Sequence, residues 1–159
     1  MNLATRPHPA GHAALRTGRA SLAGHCYHVT ASTLDRLPVF ADFATGCIAA
    51  RSFTDLRLHG ESTLLAWVLM PDHAHWLLQL GEGDSLAGVV RRLKSSSARQ
   101  VNASRGAHGP LWSPAYHDHA IRSQETLAHV ARYIIENPIR AGLAASPGEY
   151  PFWDMDWLP

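Results

Sequence analysis

The chain has 159 residues, 46% of them hydrophobic, two cysteines and a formal net charge of +1. That length and composition suit one domain with a buried core. Cys26 and Cys47 make no CxxC pair, which excludes a disulfide scaffold or a zinc ribbon, and no apolar run reaches membrane-spanning length, so a cytoplasmic protein without a membrane partner is expected.

Residues 1–23 are rich in Ala, Gly, Pro and Arg and show no apolar period. They predict a flexible basic N-terminal arm, either a plain tail or a segment that touches phosphate. From Gly24 to Ala31, Cys26, His28 and Thr30 alternate with Tyr27, Val29 and Ala31, the pattern of a first strand. Pro38 stands at the favoured first position of a helix, and Phe40, Phe43, Cys47 and Ile48 recur at helical spacing up to about Arg51.

The stretch Leu64–Leu80 predicts a buried β-hairpin. Leu64 to Met70 is continuously apolar, Pro71-Asp72 supplies turn chemistry, and the return strand opens with His73 and His75. Alternation puts both imidazoles on one face with Leu77 and Gln79, and Ala74, Trp76, Leu78 and Leu80 on the other. Two imidazoles side by side on a strand make part of a metal site, although such a pair is more often ordinary structure.

Asp84 can cap the next helix, whose buried stripe is Leu86, Val89, Val90, Leu93 and Val101. Ser95-Ser96-Ser97 weakens that helix intrinsically, so packing must hold it. Tyr116 to Ile121 is a fourth strand with a second spaced pair, His117 and His119. Ser123 caps a last long helix with the stripe Leu127, Val130, Ala131 and Ile134, limited by Pro138. Tyr133 lies off that stripe, with Asn137 one turn later and His129 one turn earlier on the same side. Residues 144–159 predict a tail that folds back through Phe152, Trp153 and Trp157. The expected fold is α+β: a ferredoxin-like antiparallel four-stranded sheet of the split βαβ type, with an added C-terminal helix carrying Tyr133.

Between Ser85 and Arg140 eight bases stand against three acids, an asymmetry that suits a polyanion. Arg91, Arg92, Lys94, Arg99, Arg122, Arg132 and Arg140 are the candidate DNA contacts, with a solvated surface as the alternative use for several of them.

Residues 132–143, from Arg132-Tyr133 through Asn137-Pro138 to Gly142-Leu143, resemble the tyrosine-helix motif of single-tyrosine HUH transposases. Pro71-Asp72-His73-Ala74-His75 is similar to their histidine-hydrophobic-histidine motif. Tyr116 to Arg122 resembles the strand before the tyrosine helix in the subgroup called REP-associated tyrosine transposases, and Tyr27-His28-Val29-Thr30 also fits. The resemblance covers 24–143. An arginine expected shortly after the first strand's threonine is replaced by Ala31-Ser32-Thr33.

The resemblance implies that His73, His75 and Asn137 ligate a divalent metal, Mg²⁺ or Mn²⁺, and that Tyr133 is the nucleophile. It implies a metal-dependent single-stranded DNA endonuclease and strand transferase. Such an enzyme forms a 5′-phosphotyrosine link at hairpin-associated sites, as monomer or homodimer, in the bacterial cytoplasm at the nucleoid. His117, His119 and His129 are candidate supporting residues. Two alternatives stay open: a catalytically silent protein that holds DNA hairpins, and a zinc-dependent hydrolase built on the four histidines of the two strands.

Overall fold

The computed structural model describes residues 21–156. Its centre is the hairpin of β2 (Thr63–Met70) and β3 (His73–Gln79), joined by the tight turn at Pro71 and Asp72. The strands pair from Met70↔His73 to Thr63↔Gln79, with a bulge between Leu64 and Ala66. β1 (Cys26–Ser32) pairs antiparallel with the other side of β3, and β4 (His117–Ile121) with the free side of β1. The resulting order β4-β1-β3-β2 is the ferredoxin-like arrangement.

A fifth strand extends the expected four. β5 (Trp153–Met155) adds to the outer edge of β2, with Val68 opposite Trp153 and Ala66 opposite Met155. Three residues are too few to show a period of two, so alternation gives no sign of this strand. Backbone pairing, the Trp153 indole N–H on Pro147 O and the Tyr150 phenol help to hold it. The Leu69 N–H donates to Phe152 O at 2.9 Å, and Tyr150 Oη donates to Leu69 O at 2.6 Å. Phe152 is buried and Trp153 packs beside the sheet, while Trp157 lies outside the described residues, as do residues 1–20 of the expected N-terminal arm.

Helices cover both faces. α1 (Phe43–Phe53) and α3 (Leu86–Arg105) bury Ala49, Phe53, Val89 and Leu93 against Val29, Trp76 and Leu78. α4 (Gln124–Ile135) lays Leu127, Ala131 and Ile134 on Ala66, Val68, Leu77 and Ile121 of the opposite face. The short α2 (Leu56–His59) bridges α1 to β2, and α5 (Asn137–Arg140) follows α4 directly.

Two helix starts differ from the sequence pattern. Pro38 precedes only a 3-10 turn, Val39–Ala41, and α1 begins at Phe43, where the Asp42 carboxylate accepts from the Thr45 N–H at 2.9 Å. Phe40 is buried from that turn, and Phe43 is 64% exposed. A core-facing position in α1 is instead Gly46, where a Cβ would come within 2.5 Å of the Phe152 ring. At α3, Ser85 rather than Asp84 is the cap, accepting from the Gly88 N–H at 3.1 Å. Asp84 is taken up by Ser62, the Glu61 N–H and Arg92 at 2.7–2.9 Å.

The serine run in α3 has a packing role. Ser97 Oγ donates to Leu93 O at 2.8 Å and accepts the indole N–H of buried Trp112 at 2.9 Å. Both groups are thereby satisfied inside the core. The helix ends at Gly106, whose φ of 59° supplies the left-handed cap.

Candidate active site

Strand register decides which side chains meet. On β1, His28 and Thr30 lie opposite Leu77 and His75 of β3, and opposite His119 and His117 of β4. Directly paired residues share a face. His28, His73, His75, His117 and His119 therefore stand together on the side covered by α4, while Trp76 and Leu78 enter the other core.

His75 is the buried centre of this group. Its Nδ1 lies 3.0 Å from both His28 Nε2 and Thr30 Oγ1, and its ring centroid is 4.9 Å from that of His73, with the planes at 87°. With the proton on Nδ1, His75 donates into the His28–Thr30 pair and keeps the lone pair of Nε2 available. Burial pushes the His75 imidazole down to about 3, with smaller contributions from the nearby His28, His73, Arg140 and Arg36. Burial and then His119 push His28 down to about 4. Both rings are neutral at physiological pH, the state a metal ligand requires.

His73 is oriented by a different group. Its Nδ1 donates to Asp72 Oδ1 at 2.6 Å, and Asp72 Oδ2 lies 3.6 Å from Arg36 Nε. Arg36 also donates to Ser32 Oγ at 3.0 Å, from a turn in which Asp35 and Arg36 have positive φ values of 54° and 57°. A ring held by a carboxylate through one nitrogen presents the other outward, an arrangement common around metal-ligating histidine.

Tyr133 arrives from the end of α4, 46% exposed. Its ring meets the edge of His28 at a centroid distance of 6.3 Å, and the Arg140 guanidinium carbon sits 3.9 Å above its ring centroid. Arg140 Nη2 also donates to the Tyr133 carbonyl, so one cation grips both the side chain and the backbone. Helical geometry continues through Glu136 (φ −84°, ψ −3°) into α5, where Pro138 falls at the helix start and its missing N–H costs little. Asn137 is half-buried one turn after Tyr133, and its amide has no hydrogen-bond partner among the described residues.

The donor chemistry fits a divalent ion. His73 and His75, each with its Nδ1 held, and the amide of Asn137 would together offer a mixed nitrogen/oxygen set that suits Mn²⁺ and tolerates Mg²⁺. The four strand histidines do not converge in the same way. His28 and Thr30 stand between the two pairs, and His117 and His119 are exposed. Among the described residues no group of three or more His, Cys, Asp or Glu side chains is placed to hold a metal.

The remaining candidates spread out. His129 is exposed on α4 one turn before Tyr133, and Arg132 is exposed beside it. Arg91 and Arg99 are exposed on α3, and Arg122 is exposed just after β4. Arg92 is committed within the fold, donating to Leu58 O at 2.7 Å and to Asp84 Oδ1 at 2.9 Å. Lys94 donates to Ser113 O at 2.6 Å. The pattern reading missed the orienting roles of Asp72, His28 and Thr30. Alternation alone would have put His28 and Thr30 on one face, but only the register of β1 against β3 brings them to His75.

The family model described as "Transposase IS200 like" matches residues 21–137, and the chain belongs to that family. An Escherichia coli K12 REP-associated tyrosine transposase is 32% identical over 88 residues, 55% of this chain and 50% of its own length. A Haemophilus influenzae relative of similar description is 28% identical over 104 residues, 59% of each chain. The chain thus spans about half the length of the curated relatives it matches. A solved REP-associated tyrosine transposase bound to a REP hairpin superposes with a TM-score of 0.69 at 24% identity, over 85% of this chain and 79% of that one, and shares the fold.

Proposed function

We propose that this protein is a metal-dependent enzyme that nicks and rejoins single-stranded DNA beside hairpins, with Tyr133 as nucleophile. The observation that carries the reading is the contact chain from His73 through His75 and His28 to Tyr133, with ring centroids 4.9, 5.1 and 6.3 Å apart. The family and the hairpin-bound structural relative support DNA as the partner.

In this reading His73, His75 and Asn137 hold Mg²⁺ or Mn²⁺, which when bound offsets charge on the phosphate oxygens. A free tyrosine phenol ionises near 10 and is a poor nucleophile at neutral pH, so it needs placement. Arg140 fixes the Tyr133 ring from above, and His28 borders its edge. Tyr133 Oη forms a bond to phosphorus as the bond to the 3′ oxygen breaks. The phenolic proton leaves, and the departing oxygen takes up a proton as a free 3′-hydroxyl. The 5′-phosphotyrosine keeps the bond energy, so a 3′-hydroxyl can reverse the step without ATP.

The test is incubation with labelled, hairpin-flanked single-stranded DNA in Mn²⁺ or EDTA. The expected result is a covalent adduct that survives denaturation, needs the metal and disappears in Tyr133→Phe. Adduct formation by Tyr133→Phe would refute the assignment of the nucleophile, and DNA binding without adduct under all conditions would make the protein a hairpin-binding module.

A further inference from the structure

On the far side of the sheet from Tyr133 lies an open groove of about 270 Å³ that the proposed chemistry does not use. Ala87, Val90, Arg91 and Lys94 of α3 form one wall, and Pro114 and Tyr116 the other. Among the described residues no carboxylate lines it, and Arg91 is exposed at its rim. The groove is built into the fold, because Lys94 Nζ donates to Ser113 O at 2.6 Å and ties the Tyr116 segment to α3.

We infer that this groove holds one unpaired nucleotide of the DNA, its base stacked on Tyr116 and its phosphate paired with Arg91. The inference rests on the proposed function and adds a second contact to it. An aromatic ring over an apolar floor with a cation at the rim is the chemistry that takes a splayed base from a single strand.

Position gives the route. Tyr116 immediately precedes β4, and His117 pairs with Thr30, which pairs in turn with His75. Strand alternation puts Tyr116 on the face opposite the histidines, in contact with the α1/α3 core. The lateral offset from His75 is two strand spacings, about 10 Å. β4 is the last strand of the sheet. A single strand leaving Tyr133 can pass His119 and His117, turn over this open edge and reach Tyr116 within a few nucleotides. A blunt hairpin has no such flank to send there.

The experiment compares binding of a blunt DNA hairpin with the same hairpin carrying a single-stranded flank, by fluorescence anisotropy at several salt concentrations. Wild type should bind the flanked DNA more tightly. Tyr116→Ala should weaken binding of the flanked DNA by about 5- to 100-fold and leave the blunt hairpin unchanged, and Tyr116→Phe should bind like wild type. Arg91→Ala should weaken the flanked DNA and lower its salt slope by about one. A 5-iodouracil in the flank should photo-crosslink to Tyr116. Should Tyr116→Ala fail to fold, Arg91→Ala and the crosslink decide the matter, since Arg91 is exposed. Wild-type affinity of both alanine variants for the flanked DNA, or equal losses on both DNAs, would overturn the groove as a nucleotide site while the proposed function stands. Wild type binding neither DNA would remove both.

Discussion

Replacing Asp72 by asparagine tests the orientation of His73 and leaves the backbone bonds of Asp72 in place. The carboxylate accepts from His73 Nδ1 at 2.6 Å and faces Arg36 Nε at 3.6 Å. Asparagine keeps the size and one acceptor and removes the charge. A charge-assisted hydrogen bond is about twice as strong as a neutral one, so the loss is on the order of 1–1.5 kcal/mol, or about tenfold in affinity for a divalent ion. That falls at the lower end of the 10- to 100-fold range typical of groups that orient a metal-ligating histidine. The fold should not respond, because Asp72 also accepts from the Thr33 N–H and Thr33 Oγ1 at 2.9 and 3.0 Å through its backbone carbonyl, which the substitution leaves intact. Calorimetric titration with Mn²⁺ should show wild type binding about tenfold more tightly than Asp72→Asn, with Asp72→Ala weaker again. The urea midpoint of Asp72→Asn should match wild type. If wild type binds Mn²⁺ and Asp72→Asn binds it equally well, His73 is not oriented through Asp72 in the way the geometry implies.

Arg140→Ala removes the cation above Tyr133 and the bond to its carbonyl, together about 1–2 kcal/mol. The single-turnover rate of adduct formation at saturating metal and DNA should fall about 5- to 30-fold, with partial recovery in Arg140→Lys; an unchanged rate would show that the clamp does not position the ring. Tyr150→Phe removes the bond to Leu69 O that anchors β5 and should lower stability by about 1 kcal/mol. Burial pushes the Tyr150 phenol up to about 12, so the folded protein keeps a proton that the unfolded chain loses near 10. Stability should therefore decline between pH 10 and 12, and urea midpoints across that window should be flatter in Tyr150→Phe.

The hairpin and its two faces were legible because alternation along a strand is a fixed geometric property. Once Leu64–Leu80 is assigned as two strands, Trp76 and Leu78 must oppose His73 and His75. The start of α1 was not legible in the same way. Phe40 and Phe43, three apart, fit a helix opening at Pro38, yet a 3-10 turn also brings Phe40 inward, and the Asp42 cap then sets the true start. In the site, the spaced histidines and the tyrosine helix carried their own signals. The partners of those histidines did not, since Asp72 doubled as an ordinary turn residue, and Thr30 and His28, 45 and 47 residues before His75, reach it only through the register of β1 on β3.

The two halves of the site are held by different means, and this makes their contributions separable. His73 and His75 sit on β3, which is paired on both sides by β1 and β2, and each ring has its Nδ1 engaged by the sheet or its turn. Tyr133 projects from a helix end, nearly half exposed, and is gripped by Arg140 from the following short helix. Under the proposed function the two imidazole ligands must be fixed before any substrate arrives, and a central strand does that better than the helix corner that carries Asn137 and Tyr133. Under the same proposal Tyr133 must instead admit a DNA phosphate, which a buried strand position would forbid. Changes at Asp72 or Thr30 should therefore appear as weaker metal binding that excess metal restores. Changes at Arg140 should appear as a slower reaction that excess metal leaves uncorrected. Rescue of Arg140→Ala by added Mn²⁺ would break this division, and would mean that Arg140 acts on the histidine cluster through its proximity to His75 and not on the tyrosine.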